Sequence, residues 1–426
     1  MAVSRLSRSV DDEGSGALMA HISWLVPSLI KGSGGHRTIL SYAHALQLAG
    51  HQCRIYLETP PPVGVSGTAY IQQLFGFIFL DVRVGWQSLK PADAYVATIW
   101  YSADVVARLD FECKRFYLVQ DWEALFNPVG DTYIFAENSY LLGLHHITVG
   151  SWLAHELRQR FDGQASVVPF GVDTQVYCRL GNDAATKPAS VCMIYQPDKP
   201  RRCAQLGVEA LRLLKLAMPE VQLHLYGSEQ KLDPALSLDH LHHGLISLSD
   251  CNQLYNSCTV GLCMSASNPS RIPFEMLAAG LPVVELWRTN NLYDLPDQAV
   301  LLSEQTPTAL AGSLLQLLQN PRRRAEMSDA GVALMRDRDQ QSEGRAFVAA
   351  VEAVLLQRPA LAIQQLQLSY RQHPQTSYPP ELRRAQRSVF TALPRRARLL
   401  RKLPAWLQPM AKYLAVKFKR LCHPFR

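Results

Sequence analysis

No run of about 18 apolar residues occurs in this sequence, so nothing in it reads as a membrane-spanning helix. Residues 1–16 have no apolar core of the kind a secretory signal needs; they are polar, and acidic in their second half. Cysteine is scarce: nine in 426 residues, odd in number, scattered, with no CxxC pair. That excludes a disulfide framework and a zinc site of the usual spacing. These absences predict a cytosolic body in a reducing compartment. No short internal repeat is present. Metal-ligand signals are equally thin. The pairs His145/His146 and His242/His243 have no carboxylate at ligand spacing. Asp337-Arg338-Asp339 has the outline of a DxD motif, but it ends an amphipathic helical pattern instead of following a buried strand, so it reads as a solvated face. No metal is expected.

The charge that is present is unevenly placed. Residues 381–426 hold 13 Lys and Arg and one acid, Glu381. The remainder has 30 of the 43 bases against 35 of the 36 acids, so the body is net acidic and the basic character belongs to a tail. At 426 residues the chain is too long for one ordinary core, and two domains are expected.

The apolar pattern agrees. His21–Pro27 reads as a buried strand, 36–48 as an amphipathic helix that Gly50 ends, and Cys53–Leu57 as the next strand. This is a βαβ unit opening a doubly wound sheet. Strand patterns follow at 94–99, 115–119, 146–149 and 166–169, with a helix at 152–160. The pattern then restarts: strands at 190–194, 221–226, 259–264 and 282–285, and helices at 204–216, 274–279, 307–318 and 322–335. Two α/β units in series, divided near 170–187, predict two Rossmann-like domains facing a cleft.

Between the first strand and first helix stands KGSGGHR, residues 31–37. A bare loop there lets backbone approach a ligand, and the helix start behind it suits an anion. The spacing is not that of a dinucleotide fingerprint, because Arg37 stands where the third glycine is due. Nor does Gly-Lys-Ser/Thr follow as in a Walker loop. Either the loop is a tight turn without a ligand or it floors a binding site.

Four later segments bear on that choice: SNPSRIPFEMLAAGLPVVE (267–285), FGVD (170–173), YLVQDWEALFNPVGDTYIFAENSY (117–140) and YGSEQ (226–230). Together and in this order they resemble family 4 glycosyltransferases, and among them the subgroup of bacterial rhamnan rhamnosyltransferases. The resemblance spans 21–355. It implies the GT-B fold, with residues 1–19 a flexible start, 20–173 an acceptor domain, 174–355 a nucleotide-sugar domain and 356–426 a return segment and basic amphipathic tail. It also implies no cofactor, and a sugar moved from a nucleotide diphosphate donor (dTDP-rhamnose as the single best guess) to a glycan or lipid-linked acceptor with retention of anomeric configuration.

The resemblance also nominates residues. Gly34 and Gly35 match the cleft-floor loop near the donor diphosphate. Glu275 matches the glutamate that binds the nucleotide ribose, where a carboxylate can accept two hydroxyl hydrogen bonds. The family's other glutamate, eight positions earlier, is Ser267 here. Ser270, Arg271 and Ile272, ahead of a helix, match the diphosphate-receiving backbone, and Gly227 the turn after a strand. Lys199, Arg201 and Arg202 are candidates to neutralise the leaving diphosphate, Arg201 matching best, although the family's usual arginine position holds Pro197. Asp121 and Glu123 follow a strand end. Either one orients the acceptor hydroxyl or helps remove its proton, or they cap the next turn.

In the tail, Leu403, Trp406, Leu407, Met410, Leu414, Phe418 and Leu421 recur at helical intervals among bases, with Pro404 and Pro409 as breaks. Such a segment suits an anionic membrane interface, which would place the protein on the inner face of a membrane. The alternative is a return helix packed on the body. Two rival functions are a non-catalytic glycan-binding protein of the same fold, and a nucleic-acid binder using the tail. The net-acidic body and the absence of a nucleic-acid motif rank the last below the others, and no nucleic-acid partner is expected.

Overall fold

The computed structural model describes residues 19–181, 187–236, 238–358, 366–376 and 379–382. The expected flexible start and the basic tail from 383 onward lie outside the described residues. Two wholly parallel sheets organise the rest. The first contains β1 (His21–Val26), β2 (Gln52–Leu57), β3 (Asp81–Val84), β4 (Ala94–Ala97), β5 (Lys114–Val119), β6 (His145–Val149) and β7 (Ala165–Val168), in the order β3-β2-β1-β4-β5-β6-β7. With them go α1 (Gly34–Leu48), α2 (Gly67–Phe75), α3 (Trp100–Ala107), α4 (Asp131–Asn138) and α5 (Ser151–Phe161). The second contains β8 (Ser190–Ile194), β9 (Gln222–Tyr226), β10 (Leu241–His242), β11 (Val260–Leu262), β12 (Val283–Leu286) and β13 (Val300–Ser303), in the order β10-β9-β8-β11-β12-β13. Its helices are α6 (Ala204–Ala217), α7 (Leu248–Ser257), α8 (Arg271–Ala278), α9 (Thr289–Leu292), α10 (Pro307–Leu318) and α11 (Pro321–Arg336); α12 (Gln340–Leu355) follows.

Both sheets therefore reverse direction beside their first strand, which puts a crevice at the carboxyl edge between β1 and β4 and another between β8 and β11. The central strands are buried on both faces, as a sheet covered by helices on each side requires. All five residues of β8 and all four of β12 are buried. α1 starts where Ser33 accepts the His36 N–H, and it turns Ile39, Leu40, Tyr42, Ala43 and Leu46 into the core.

α12 ends the stretch expected to form the second domain, yet it packs on the first. Phe347 stacks on Tyr42 with ring centroids 4.4 Å apart and also meets Trp24 at 5.7 Å. The chain thus crosses between the units at 172 and again at 339, these two crossings touch, and after α12 the chain packs back on the second unit, where Gln375 pairs with Ser303. Val172 N–H donates to Arg338 O at 3.1 Å, and Gln340 N–H donates to Val172 O at 2.8 Å. No helix among the described residues is long and apolar enough to cross a membrane.

Candidate active site between the two carboxyl edges

The loops at the carboxyl edges of the two sheets meet. Asn268, in the loop after β11, donates through Nδ2 to Gln120 O at 3.0 Å and to Val149 O at 3.3 Å, the ends of β5 and β6. Asp294 accepts the Ser151 N–H at 2.8 Å and the Trp152 N–H at 3.3 Å, capping α5 from the other unit. The C-terminal half of the first sheet's edge is thereby covered. Asp121, just past β5, has one carboxylate oxygen 3.8 Å from Arg201 Nε and accepts a hydrogen bond from Ser267. Arg201 also lies over the ring of Phe126 at 4.3 Å.

The expected donor residues fall around this junction in different ways. Gly34 and Gly35 form the exposed start of α1. A side chain at Gly35 would meet only Ser33 and Gln120, at 3.8 Å or more, and one at Gly34 would meet nothing within 4 Å. Ser270 is the N-cap of α8, its hydroxyl buried and making no cap bond. The N–H groups of Arg271 and Ile272, in the first turn, have no intrahelical acceptor. Arg202 sits between the two units' acids, acting on Asp121, Glu275 and Glu285. Lys199 is half-buried beside it, its ammonium held below its ordinary range chiefly by burial.

Glu275 projects from α8 toward Tyr177, which donates to it, with Arg271, Arg202 and Arg37 nearby. Burial pushes its carboxyl up to about 7 against the pull of those cations. The Asp121 carboxyl is also raised by burial, with Arg201 acting in the opposite direction. Three polar atoms in this region, Arg202 Nε, Asn268 Oδ1 and Ser270 Oγ, are buried without a hydrogen-bond partner. Buried polar groups are rarely left so, and their clustering marks a place where a polar ligand fits.

One nominated residue, Glu123, is placed otherwise than expected, and the side chain of Arg271 and the turn at Gly227 have structural partners of their own. Glu123, foreseen at the cleft, is 5% exposed and turned into the first unit. Its Oε2 accepts the Trp100 N–H at 2.6 Å and the Tyr117 hydroxyl at 2.9 Å, so it holds the start of α3. The 3-10 turn 123–126 aims it away from Asp121. The backbone of Arg271 is the part foreseen on the diphosphate; its guanidinium is engaged elsewhere. It pairs with both oxygens of Glu343 at 2.5 and 2.7 Å and donates to Thr38 Oγ1 at 3.0 Å and Gly171 O at 2.8 Å. Glu343, on α12, is 2% exposed and also takes the Tyr42 hydroxyl. At Gly227 the N–H donates to Gly244 O at 2.7 Å. The residue has φ +95°, and a Cβ would lie 2.7 Å from Ile194, so the turn itself requires glycine.

Sequence reasoning missed Asn268, Tyr177 and Glu285. Glu285 Oε1 accepts the Ser265 N–H at 2.8 Å and the Leu286 N–H at 2.7 Å, setting the loop after β11. An acid inside an otherwise apolar strand was the available signal for Glu285. No group of His, Cys, Asp and Glu among the described residues is arranged to hold a metal ion.

The arrangement is two Rossmann-like sheets edge to edge, with cations and a free helix start on one side and a carboxylate on the other. The two-sheet fold is similar to that of known proteins. Residues 189–315 match the family model described as WsaF, C-terminal domain. The O-antigen biosynthesis protein RfbC of Myxococcus xanthus is 28% identical over 319 residues, covering 72% of this chain and 25% of that protein. The chain thus spans a quarter of that relative's length. Among solved structures, the sucrose-phosphate synthase of Thermosynechococcus elongatus superposes with a TM-score of 0.64 at 15% identity, over 79% of this chain and 99% of that one. HepE of Anabaena in complex with UDP superposes with a TM-score of 0.62 at 15% identity, over 78% and 100%. The fold is GT-B, as the sequence predicts.

Proposed function

We propose that this chain is a retaining glycosyltransferase that moves a sugar from a nucleoside diphosphate donor to a growing glycan. One observation carries the reading: Asp121 of one unit meets Arg201, Arg202 and the open start of α8 of the other, with Glu275 behind them. In this reading Glu275 accepts hydrogen bonds from the ribose. The first-turn N–H groups of α8 and the Arg202 guanidinium receive the diphosphate, where oriented donors stabilise the charge that grows on the leaving group. Asp121 takes the hydrogen bond of the acceptor hydroxyl. The acceptor oxygen bonds the anomeric carbon as the bond to the diphosphate oxygen breaks, and the acceptor's proton leaves with the diphosphate.

The name of the Myxococcus relative supports an O-antigen-like polysaccharide as the product class. The donor reading is dTDP-rhamnose, from the subgroup resemblance, while UDP in the HepE complex supports UDP-glucose as its competitor. A thermal-shift panel of both sugar nucleotides separates them, since a ligand of the folded state raises apparent stability. Transfer to a soluble acceptor then tests turnover. Asp121→Asn should lose transfer while keeping donor binding, and equal loss of both would refute its acceptor role.

The basic tail completes the proposal as an address to an anionic membrane surface, where a lipid-linked acceptor would reside. Truncation after Leu382, which keeps Gln375 on Ser303 and Leu382 in the core, should release the protein from anionic liposomes and leave transfer to a soluble acceptor intact. Unfolding of the truncated chain would refute this.

A further inference from the structure

The carboxyl edges of β1 to β4 carry a second constellation that the donor chemistry does not use. Trp86 follows β3, Glu58 follows β2, Ser28 follows β1, and Trp100 and Tyr101 open α3 after β4. All five are partly exposed. Trp86 and Tyr101 have ring centroids 5.8 Å apart at 31°, and Trp100 meets Tyr101 edge-on at 5.3 Å and 88°. Glu58 is set beside them by one oxygen. Its Oε2 accepts the Ser28 N–H and hydroxyl, both at 2.9 Å, and the Tyr101 hydroxyl at 3.3 Å. Its Oε1 has no partner among the described residues. The platform is rigid: Trp86 Nε1 donates to Tyr56 O at 3.0 Å, and the Trp100 N–H is fixed by Glu123.

We propose that these residues form a binding platform for the terminal sugar of the acceptor, and that this sugar is uncharged. The inference rests on the transferase reading for the word acceptor. The ring faces carry the negative side of the aromatic quadrupole, which meets the C–H face of a pyranose. Glu58 Oε1 accepts from a hydroxyl at the ring's rim, a charge-assisted bond. Its negative charge disfavours a uronic acid. A few placed polar atoms beside aromatic surface are what a small-molecule site consists of. The platform belongs to the unit opposite the loop 263–270. It is tied to the segment that follows β5 through the bond from Trp100 N–H to Glu123.

The test uses the full chain and p-nitrophenyl glycosides: the uncharged α-L-rhamnoside and β-D-glucoside, and the β-D-glucuronide. Binding is read by saturation-transfer NMR and tryptophan fluorescence, with thermal melts to confirm folding. We expect the wild type to bind an uncharged glycoside at least tenfold more tightly than the glucuronide. Trp100→Ala should weaken uncharged-glycoside binding at least tenfold, Glu58→Gln should erase the discrimination against the glucuronide, and Tyr101→Phe, which keeps the ring, should weaken binding severalfold. UDP and dTDP affinity should stay within twofold in every variant. Equal binding of wild type and variants, a preference for the glucuronide, or no glycoside binding by the wild type would overturn the platform. The two readings fail separately. Glycoside binding that the variants lose, with no transfer from any sugar nucleotide, leaves the platform and removes the transferase. Transfer with unchanged acceptor KM in the variants does the reverse.

Discussion

Replacing Glu123 by glutamine isolates the energetics of a buried acid. Both hydrogen bonds to its side chain end on one oxygen, Oε2, so the amide oxygen of glutamine can accept from Trp100 N–H and Tyr117 as the carboxylate does. What disappears is the ionisation. Burial pushes the Glu123 carboxyl from 4.5 up to about 8, the hydrogen bonds from Tyr117 and Trp100 opposing and the charge of Asp121 assisting. The unfolded chain therefore releases this proton near pH 4.5 and the folded chain near pH 8. Between those values the folded state binds more protons, and stability falls as pH rises. The full difference, reached above pH 8, is about 5 kcal/mol. Glu123→Gln should match the wild type in urea unfolding at pH 4.5, gain on it steadily, and exceed it by about that amount at pH 9. Transfer activity should persist, because Trp100 stays in place. A stability difference that does not change with pH would refute the burial argument. A loss of turnover in a folded variant would return Glu123 to the chemistry.

Glu275→Ala should raise the donor KM while leaving the melting profile nearly unchanged. In the wild type, donor affinity should increase as pH rises through about 7, because the ionised carboxylate is the stronger acceptor for the sugar hydroxyls of the nucleoside, two on ribose and one on deoxyribose; a flat affinity profile would contradict this. Arg271→Met leaves the buried Glu343 without its cation and should cost about 3–5 kcal/mol in denaturant unfolding, with Arg271→Met/Glu343→Met recovering a large part. Gly35→Val should abolish transfer with little loss of stability, since the protein itself leaves room for the added carbons; full activity would show that the loop only connects.

The two sheets were legible because their central strands are unbroken apolar runs closed by turns, and the order of segments followed the chain. The edge strands β3 and β10 were not. β3 alternates charge and valine as Asp81-Val82-Arg83-Val84, and β10 has only two residues, so neither gives a core signal. α12 went unread because Gly344 interrupts a pattern whose buried face is set by α1, far away in sequence. Within the site, position after a strand end located Asp121. The same rule misplaced Glu123, because two residues further along a 3-10 turn the side chain points the other way. The pairing of the Arg271 side chain went unread because its partner Glu343 lies 72 residues on, and Tyr42, which shares that carboxylate, is 301 residues from it. Pairings over such separations leave no local trace.

Two of the crossings between units run side by side, bridged at Val172 and Asp339. A single tether would let the units tumble and slide. Two strands fastened to each other behave as a hinge pin, leaving one rotation about a fixed axis. The Arg271–Glu343 pair lies against that pin, since Arg271 also holds Gly171 O and the Gly171 N–H donates to Glu343 at 3.1 Å. Near an axis, a rotation moves atoms little and these bonds survive it. At the far rim, where Arg201 lies over Phe126, the same angle sweeps a long arc. Opening about that axis would have to break the Asn268 bonds to Gln120 and Val149, the Asp294 cap on α5 and the Arg201 stack together, while the axis keeps the two edges in register.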